Sequence, residues 1–212
     1  MHYLTVSKAA QSEYVVSRSR FIGYIKPIDS VESADGFVDE IRALHPQARH
    51  NVYAYCVRTP VYTRFSDDGE PQGTAGKPVL DVLKNAGLTD VCLVVTRYFG
   101  GILLGTGGLV RAYSHTASLA AEAAGIVRMR SCAVYELKLD YTLYGGLQRL
   151  LPRFEASVGQ TDFSQQITMD VCLPLENEAG FLKAVAELSL GKVHPQRTGE
   201  RFCAAETEKS GE

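Results

Sequence analysis

Hydrophobic and polar residues follow different patterns in the two parts of the chain, and the change falls near residues 125–131. In the first part, extended segments alternate with helical ones. Residues 91–95 form an unbroken apolar run, which is typical of a strand covered on both faces or central in a sheet. Further strands are predicted at about residues 13–16, 20–25 and 51–58.

Three helices are predicted in this first part. One spans residues 31–44 and carries its apolar side chains on one face. The second opens with Pro78 in its first turn, where a missing N–H costs nothing, and closes at Gly87. The third is rich in alanine and runs from about residue 107 to 125.

The second part alternates more cleanly, and residues 135–140 and 167–173 are predicted to be half-buried strands. Helical spacing marks residues 143–151 and 178–188, and short strands are expected at 154–158 and 192–194. The order strand, helix, strand, strand, helix, strand is that of a ferredoxin-like domain. The polar tail from Thr198 is expected to be disordered.

Charge and composition narrow the possible functions. The first 128 residues carry 13 basic and 12 acidic side chains and the remainder 9 and 12, so binding of nucleic acid needs a local patch rather than bulk charge. The chain lacks the apolar segment of a membrane span or a signal peptide, and a cytoplasmic location is expected. Its five cysteines are widely spaced without a C-x-x-C motif, so they are interpreted as reduced core residues.

The stretch YFGGILLGTGGLVRAY, residues 98–113, is the most distinctive motif, because glycine-rich turns before helices often hold phosphate. It does not match a Walker A loop, since Thr106-Gly107 stands where Lys-Ser/Thr is required. It also lacks the third glycine of a dinucleotide fingerprint, because position 110 is Val110. Ordinary nucleotide binding is therefore not expected.

A second glycine-rich stretch, SDDGEPQGTAGKP, also runs into a helix start. If the two turns lie side by side, the N–H groups of two helix N-termini would converge, with Lys77, Arg97 and Arg111 supplying positive charge. That arrangement would form an anion site. The alternative is that both loops are tight turns in which glycine serves only conformation and packing.

Other candidate chemistry is weaker. Asp67, Asp68 and Glu70 could hold Mg²⁺, but Asp-Gly is a common turn dipeptide, and pairing of these carboxylates with the arginines is the more interesting role. Arginines are interleaved with tyrosines around residues 49–65. They could form a basic and aromatic surface that binds RNA. Alternatively, the tyrosines are half-buried residues of a strand and the arginines face the solvent. No catalytic constellation, metal site or cofactor is indicated.

The segments RFSDDGEPQGTAGKPVL (residues 64–80) and VVTRYFGGILLGTGGLVRAY (residues 94–113) resemble the signature of the YigZ/IMPACT family, supported by SRFIG and HPQARHNVYAY. The resemblance implies an α+β protein. Its N-terminal domain, residues 1–128, would be like the second domain of a small-subunit ribosomal protein, with helices on one side of a sheet and a left-handed βαβ crossover. A ferredoxin-like domain similar to those of elongation factor G would follow in residues 129–197, and then a polar tail, residues 198–212.

Both fold comparisons point towards RNA or the ribosome. Eukaryotic IMPACT acts by protein contact, restraining a kinase of the translation stress response, but this chain resembles the two-domain bacterial members. The sequence is interpreted as a non-enzymatic nucleic-acid-binding protein linked to the regulation of translation. The predicted contacts to the anion come from Arg64, Lys77, Arg97, Gly105, Gly107, Gly108 and Arg111, with Asp67, Asp68 and Glu70 orienting the cations.

Two alternatives stay open at this point. The protein could instead be an enzyme or binder acting on a small phosphorylated ligand, because glycine-rich loops on the same broad fold serve small-molecule kinases. It could also be a protein-interaction module that restrains a stress-response partner, like the eukaryotic relative.

Overall fold

A computed structural model describes residues 2–205, which divide into two compact units: the first is Tyr3–Arg128, and the second consists of His2 and the residues from Met129 onward. The predicted α+β class is confirmed, because both units combine antiparallel strands with α-helices. No helix among the described residues is both long and apolar enough to span a membrane.

The first unit is built on a five-stranded antiparallel sheet in the order β2-β3-β6-β4-β5. β3 and β4 both pair antiparallel with β6, so they run parallel to each other and are joined through a helix. In chain order the elements are β1 (His2–Val6), β2 (Ala10–Val16), β3 (Ser19–Pro27), α1 (Val31–Leu44), β4 (His50–Val57), β5 (Tyr62–Ser66), α2 (Gly76–Asn85), β6 (Val91–Tyr98) and α3 (Gly105–Ala124).

β6 is central in this sheet and buried on both faces, as its apolar run predicts. Val91, Leu93 and Val95 belong to a core that includes residues of α2 and α3. Cys92 and Val94 belong to a separate core that includes residues of α1. The expectation that all helices lie on one side of the sheet is therefore wrong, because α1 covers the opposite face.

α1 begins and ends where local chemistry requires. Ser30 precedes it in extended conformation and its hydroxyl accepts a hydrogen bond from the Ser33 N–H, which satisfies a donor left free by the first turn. The helix closes at His45, one residue before Pro46. Phe37, Val38 and Ile41 are buried against the sheet as the amphipathic pattern predicts, whereas Leu44, assigned to the same face, is exposed at the end of the helix.

In the second unit β10 pairs with β7, β7 with β9 and β9 with β8, each antiparallel, which is the strand arrangement of a ferredoxin-like domain. Alternate residues of β7 and β9 face two helices and form the core with Leu147 and Phe181. Its elements are β7 (Ile126–Leu139), α4 (Tyr141–Leu150), β8 (Ser157–Phe163), β9 (Ile167–Pro174), α5 (Glu178–Ser189) and β10 (Gln196–Ala204), with short 3₁₀ turns at Leu151–Phe154 and Leu175–Asn177.

The end of the chain differs from its prediction. The last strand is β10, not residues 192–194, and it pairs with β7 from Gln196 to Ala204. The disorder expected from Thr198 onward is therefore wrong as far as Ala204, because an edge strand gains backbone hydrogen bonds without an apolar pattern. Residues 206–212 of the predicted tail lie outside the described residues.

Candidate anion-binding site

The glycine-rich loop joins the end of β6 to the start of α3 and depends on two glycines. A Cβ on Gly100 would overlap the carbonyl group of Arg18, so only glycine permits the two backbones to approach so closely. Gly105 has φ +68°, in the left-handed region where a side chain is strained. These two positions bring the loop across the end of the sheet and turn it into the helix.

No side chain of the described residues caps the N-terminus of α3, and the first turn of this helix contains no acidic residue. The first N–H groups of a helix lack partners within the helix, and the dipole gives this end a partial positive charge. Gly107 and Gly108 keep the turn free of bulky side chains, and Arg111 Nη1 lies 3.7 Å from the place a Cβ on Gly107 would occupy. The start of α3 is thus a cationic end without a built-in anion.

Arg97, near the end of β6, is held in a buried polar cluster beneath this loop. Its Nη1 donates to Glu70 Oε1 at 2.6 Å, and the Tyr113 hydroxyl donates to the same oxygen at 2.7 Å. The guanidinium lies over the rings of Phe21 and Phe99, with centroid distances of 5.4 and 5.5 Å. Burial, with the nearby Glu70 charge second, raises the pKa of Tyr113, so its hydroxyl stays a hydrogen-bond donor.

One donor of this cluster is left over. Arg97 Nε finds no acceptor among the described residues. Because the side chain is only 7% exposed, bulk solvent does not supply one either. Buried polar groups are nearly always paired, so an orphaned guanidinium N–H calls for an explanation such as a ligand or an ordered water.

A cavity of about 430 Å³ lies where these features meet. Its charged and imidazole lining comes from Arg49, His50, Glu70 and Arg97. The remaining wall comes from Pro71, from the loop and from the first turns of α3, including Phe99, Gly105 and Thr106. His50 Nδ1 lies 2.8 Å from the Asp68 carbonyl oxygen, so this nitrogen donates and Nε2 is the free ring nitrogen. Because Glu70 offsets the charge of Arg97, Arg49 supplies the net positive charge of the cavity.

A second concavity, of about 800 Å³, shares Leu103 and Leu104 in its lining with the first. Gly108, Arg111 and His115 contribute to its lining. Arg97 and Arg111 therefore line two different cavities, which share residues of the same loop. The structure brings five of the predicted contacts to this region, namely Arg97, Gly105, Gly107, Gly108 and Arg111.

The N-terminus of α2, predicted to supply the second half of the site, already holds an anion. The Asp67 carboxylate accepts hydrogen bonds from the N–H groups of Gly73, Ala75 and Gly76 at 2.8, 3.0 and 2.8 Å. A carboxylate in this position accepts hydrogen bonds from the unpaired N–H groups of the first turn. Its negative charge also interacts favourably with the positive end of the helix dipole. The Gly76 N–H is thus committed to Asp67, and α2 has no comparable opening for an external anion.

The other predicted residues make separate contacts. Lys77 pairs with Asp81 on α2, and Arg64 on β5 lies 3.6 Å from Asp35. Asp68 accepts from the Asn51 N–H at 2.7 Å and from Arg42 at 3.2 Å, so its cation is not one of the predicted arginines. Of the three acidic residues, Glu70 alone is paired with a cation of the predicted set.

Sequence reasoning missed several members of the cavity. His50 lies opposite Arg97 in the β4–β6 register, and Arg49 immediately precedes β4, a placement that only strand pairing reveals. Nearby, His45 lies between two phenols, with Nε2 2.7 Å from the Tyr24 oxygen and Nδ1 2.8 Å from the Tyr98 oxygen. Burial and then the charge of Arg20 lower the pKa of His45.

Comparison with known proteins gives a consistent family assignment. Residues 17–121 match the Impact N-terminal domain, and residues 137–192 match a domain of unknown function, DUF1949. The chain is 35% identical to the IMPACT family member YvyE of Bacillus subtilis over 191 residues, or 90% of this chain and 88% of the relative. It is 38% identical to the IMPACT family member YigZ of Escherichia coli over 181 residues, or 84% and 89%.

Structural comparison agrees with the sequence relatives. A solved structure described as "Crystal structure of an hypothetical protein" is 35% identical to this chain, with a TM-score of 0.60. The alignment covers 93% of this chain and 98% of that one.

Proposed function

Because the chain belongs to the IMPACT family, we propose that it is a non-enzymatic cytoplasmic protein that binds the phosphates of RNA, in a ribosomal or translational setting, at the start of α3. The family resemblance implies domain folds like parts of a ribosomal protein and of elongation factor G, and this analogy is the support for the translational setting. The chemistry of the site supports the choice of an anionic ligand.

One observation carries the proposal. The buried Arg97 has a donor without a partner among the described residues, and it lines the same cavity as the uncapped N-terminus of α3. Either feature alone is common, and their occurrence beside one cavity supports a site where a guanidinium N–H and backbone N–H groups donate to the same ligand. A phosphate oxygen accepts from both kinds of donor.

The surrounding residues have distinct roles in this proposal. Glu70 and Tyr113 fix the guanidinium of Arg97, while the exposed Arg49 and Arg111 neutralise phosphates at the two cavities. Phe99 is 51% exposed and offers a face on which a base can stack. Arg64 and Lys77, each paired with a neighbouring carboxylate, add only distant positive charge.

A salt titration tests the proposal. A labelled single-stranded RNA is titrated with the protein at several salt concentrations, beside an Arg49→Ala/Arg111→Ala variant and an Arg149→Ala/Arg153→Ala control. The control removes the same charge from exposed positions in the second unit. We expect steeply salt-dependent binding that the first variant loses and the control keeps. The slope of log affinity against log salt should fall by about 0.7 for each phosphate contact removed.

Equal weakening in both variants would show that bulk charge, and not the α3 site, binds RNA. Absence of binding at low salt would overturn the RNA assignment. Arg97→Ala is unsuitable as the main variant, because it leaves the Glu70 carboxylate buried without its cation.

The volume of the cavity favours a second candidate, a small phosphorylated ligand. About 430 Å³ lies within the range of small-molecule sites, and much of the lining is apolar. Thermal stabilisation of the protein by inorganic phosphate or by ATP with Mg²⁺, without RNA binding, would favour this function.

Apolar exposure at the loop favours a third candidate, a protein-interaction module. Ile102 and Leu103 are 45% and 86% exposed, and Phe99 lies beside them in the same loop. A defined protein partner whose affinity is insensitive to salt and is reduced by Leu103→Ser would support this role over RNA binding.

A further inference from the structure

Three cysteines of the second unit converge on one face of its sheet. Cys132 lies on β7, Cys172 on β9 and Cys203 on β10, and their sulfurs all lie within 4.8 Å of one another. The Sγ atoms of Cys172 and Cys203 are 3.2 Å apart. Among the described residues, no other group of three cysteine, histidine or acidic side chains meets so closely.

The strand register accounts for this convergence. Cys132 pairs with Arg201 on β10, while Cys203 and Cys172 pair with positions two residues to either side of Cys132 on β7. Because side chains alternate across a strand, all three thiols project from the same face. This face is opposite to the one whose residues, such as Ala133, pack in the core with the helices. Three neighbouring strands therefore present the cysteines on a rigid frame.

The spacing suits a single thiolate-bound ion. Three sulfurs bound to one zinc ion at ~2.3 Å in tetrahedral geometry stand about 3.8 Å from one another. Here one pair of sulfurs stands 3.2 Å apart and all three lie within 4.8 Å of one another, a range that includes that value. Small adjustments of the side-chain torsions would complete the geometry. Cys132 and Cys172 are buried and Cys203 is half-buried, which leaves one side open for entry.

The surrounding charge also suits a divalent ion. Three thiolates and Zn²⁺ carry a net charge of −1, and Arg201 Nε donates to Cys172 Sγ at 3.2 Å. Arg130 lies close enough to Cys132 for their charges to interact. A monovalent soft ion would leave a second negative charge on the cluster. N–H donors to coordinating sulfur are a normal outer layer of thiolate sites.

We propose that Cys132, Cys172 and Cys203 form a binding site for a thiophilic divalent metal ion, Zn²⁺, with its fourth position open to water or an external ligand. Binding displaces the three thiol protons to solvent, and the ion neither gains nor loses electrons. The site lies in the second unit and is separate from the anion site at α3. It ties β10, the edge strand that ends the described chain, to β7 and β9.

Metal binding by the full, reduced chain tests the proposal. The metal-free protein is titrated anaerobically with Zn²⁺, and with Co²⁺ as a spectroscopic probe, beside Cys203→Ser and a Cys56→Ser control. Cys56 is a buried cysteine of the first unit that lies outside the cluster. We expect one equivalent of Zn²⁺ to stay bound through gel filtration and Co²⁺ to give a thiolate charge-transfer band. Cys203→Ser should weaken the affinity at least tenfold, and the control should not.

Alkylation of individual cysteines provides a second measurement that needs no variant. Zinc should protect Cys132, Cys172 and Cys203 from an alkylating reagent while leaving the labelling of Cys56 and Cys92 unchanged. Equal zinc retention by the wild type and Cys203→Ser, or a Co²⁺ spectrum without a thiolate band, would overturn the proposal. So would a reduced protein that binds no zinc and forms only a Cys172–Cys203 disulfide on oxidation.

Discussion

Glu70 and Arg97 form an ion pair in the interior of the first unit, with 2.6 Å between Oε1 and Nη1 and both side chains less than 10% exposed. The pair links the turn that carries Asp67, Asp68 and Glu70 to the end of β6, beneath the glycine-rich loop. In the proposed site, Arg97 would act through its position and its Nε, which has no acceptor among the described residues, while its charge is largely compensated by Glu70. A buried charge whose partner is removed is far costlier than the pair itself.

Removing one partner of this pair should destabilise the protein more than removing both charges. We expect Arg97→Met to lower the free energy of unfolding by about 3–5 kcal/mol, because Glu70 is left charged and buried. Glu70→Gln/Arg97→Met should be more stable than Arg97→Met alone, since the introduced amide is neutral and its oxygen can still accept from Tyr113. Urea unfolding of the single and double variants measures the coupling. Additive effects of the two substitutions would contradict a direct interaction.

The Asp67 carboxylate should contribute measurably to stability as the anion of the α2 terminus. Asp67→Ala leaves three backbone N–H groups without their acceptor, and we expect a loss of about 2 kcal/mol in urea unfolding. The matched control is Asp39→Ala, whose side chain is 75% exposed on α1 and should change stability by less than about 0.5 kcal/mol. Equal effects of the two substitutions would show that the α2 contacts are energetically unimportant.

Two glycine-to-alanine substitutions should change stability in opposite directions. At Gly100 the new methyl group would overlap the backbone of Arg18. We expect the free energy of unfolding to fall by about 1–3 kcal/mol or more, the usual cost of overpacking. At Gly36, in the middle of α1, nothing lies within 4 Å of the new Cβ. There alanine should stabilise the protein by about 0.5–1 kcal/mol. Thermal unfolding distinguishes the signs, and a neutral Gly100→Ala would mean that the loop does not need its close approach.

The environment of His45 should make stability depend on pH. The folded protein lowers the pKa of His45 below its usual value of ~6.5, so the unfolded chain binds a proton more readily than the folded one. Above about pH 6.5 both states are neutral and this contribution is absent. As pH falls from there to the folded-state pKa, stability should decrease and then level off. As the pH falls through this window, the stability of His45→Gln measured by urea unfolding should rise relative to that of the wild type. A difference that stays constant with pH would contradict this account.

Local signals predicted the elements that depend on local chemistry. α1 has the predicted bounds because Ser30 caps its start and Pro46 follows its end. β6 was visible as an apolar run because its two faces lie in different cores. β10 was displaced in the prediction because most of its side chains are exposed and its pairing with β7 leaves little hydrophobic pattern.

The sites depended on contacts between distant positions, and local patterns could show only part of them. Arg97 and the glycines of α3 were identified from one contiguous motif. The occupant of the α2 terminus, Asp67, lies nine residues before Gly76, and only the folded turn brings it to the N–H groups. The cysteine cluster had no spacing signal at all, because its members lie on separate strands and only the sheet register unites them.

The sheet of the first unit also separates two sets of evolutionary constraints. Val94 and Val95 are neighbours in the chain, yet Val94 packs in the core of α1 and Val95 in the core of α2 and α3. A substitution in the α1 core can therefore be compensated by other substitutions on the same face of the sheet, and the packing beneath Arg97 on the other face does not have to change. Among homologues, residues of the α1 core should covary with one another more than with the residues that support the glycine-rich loop.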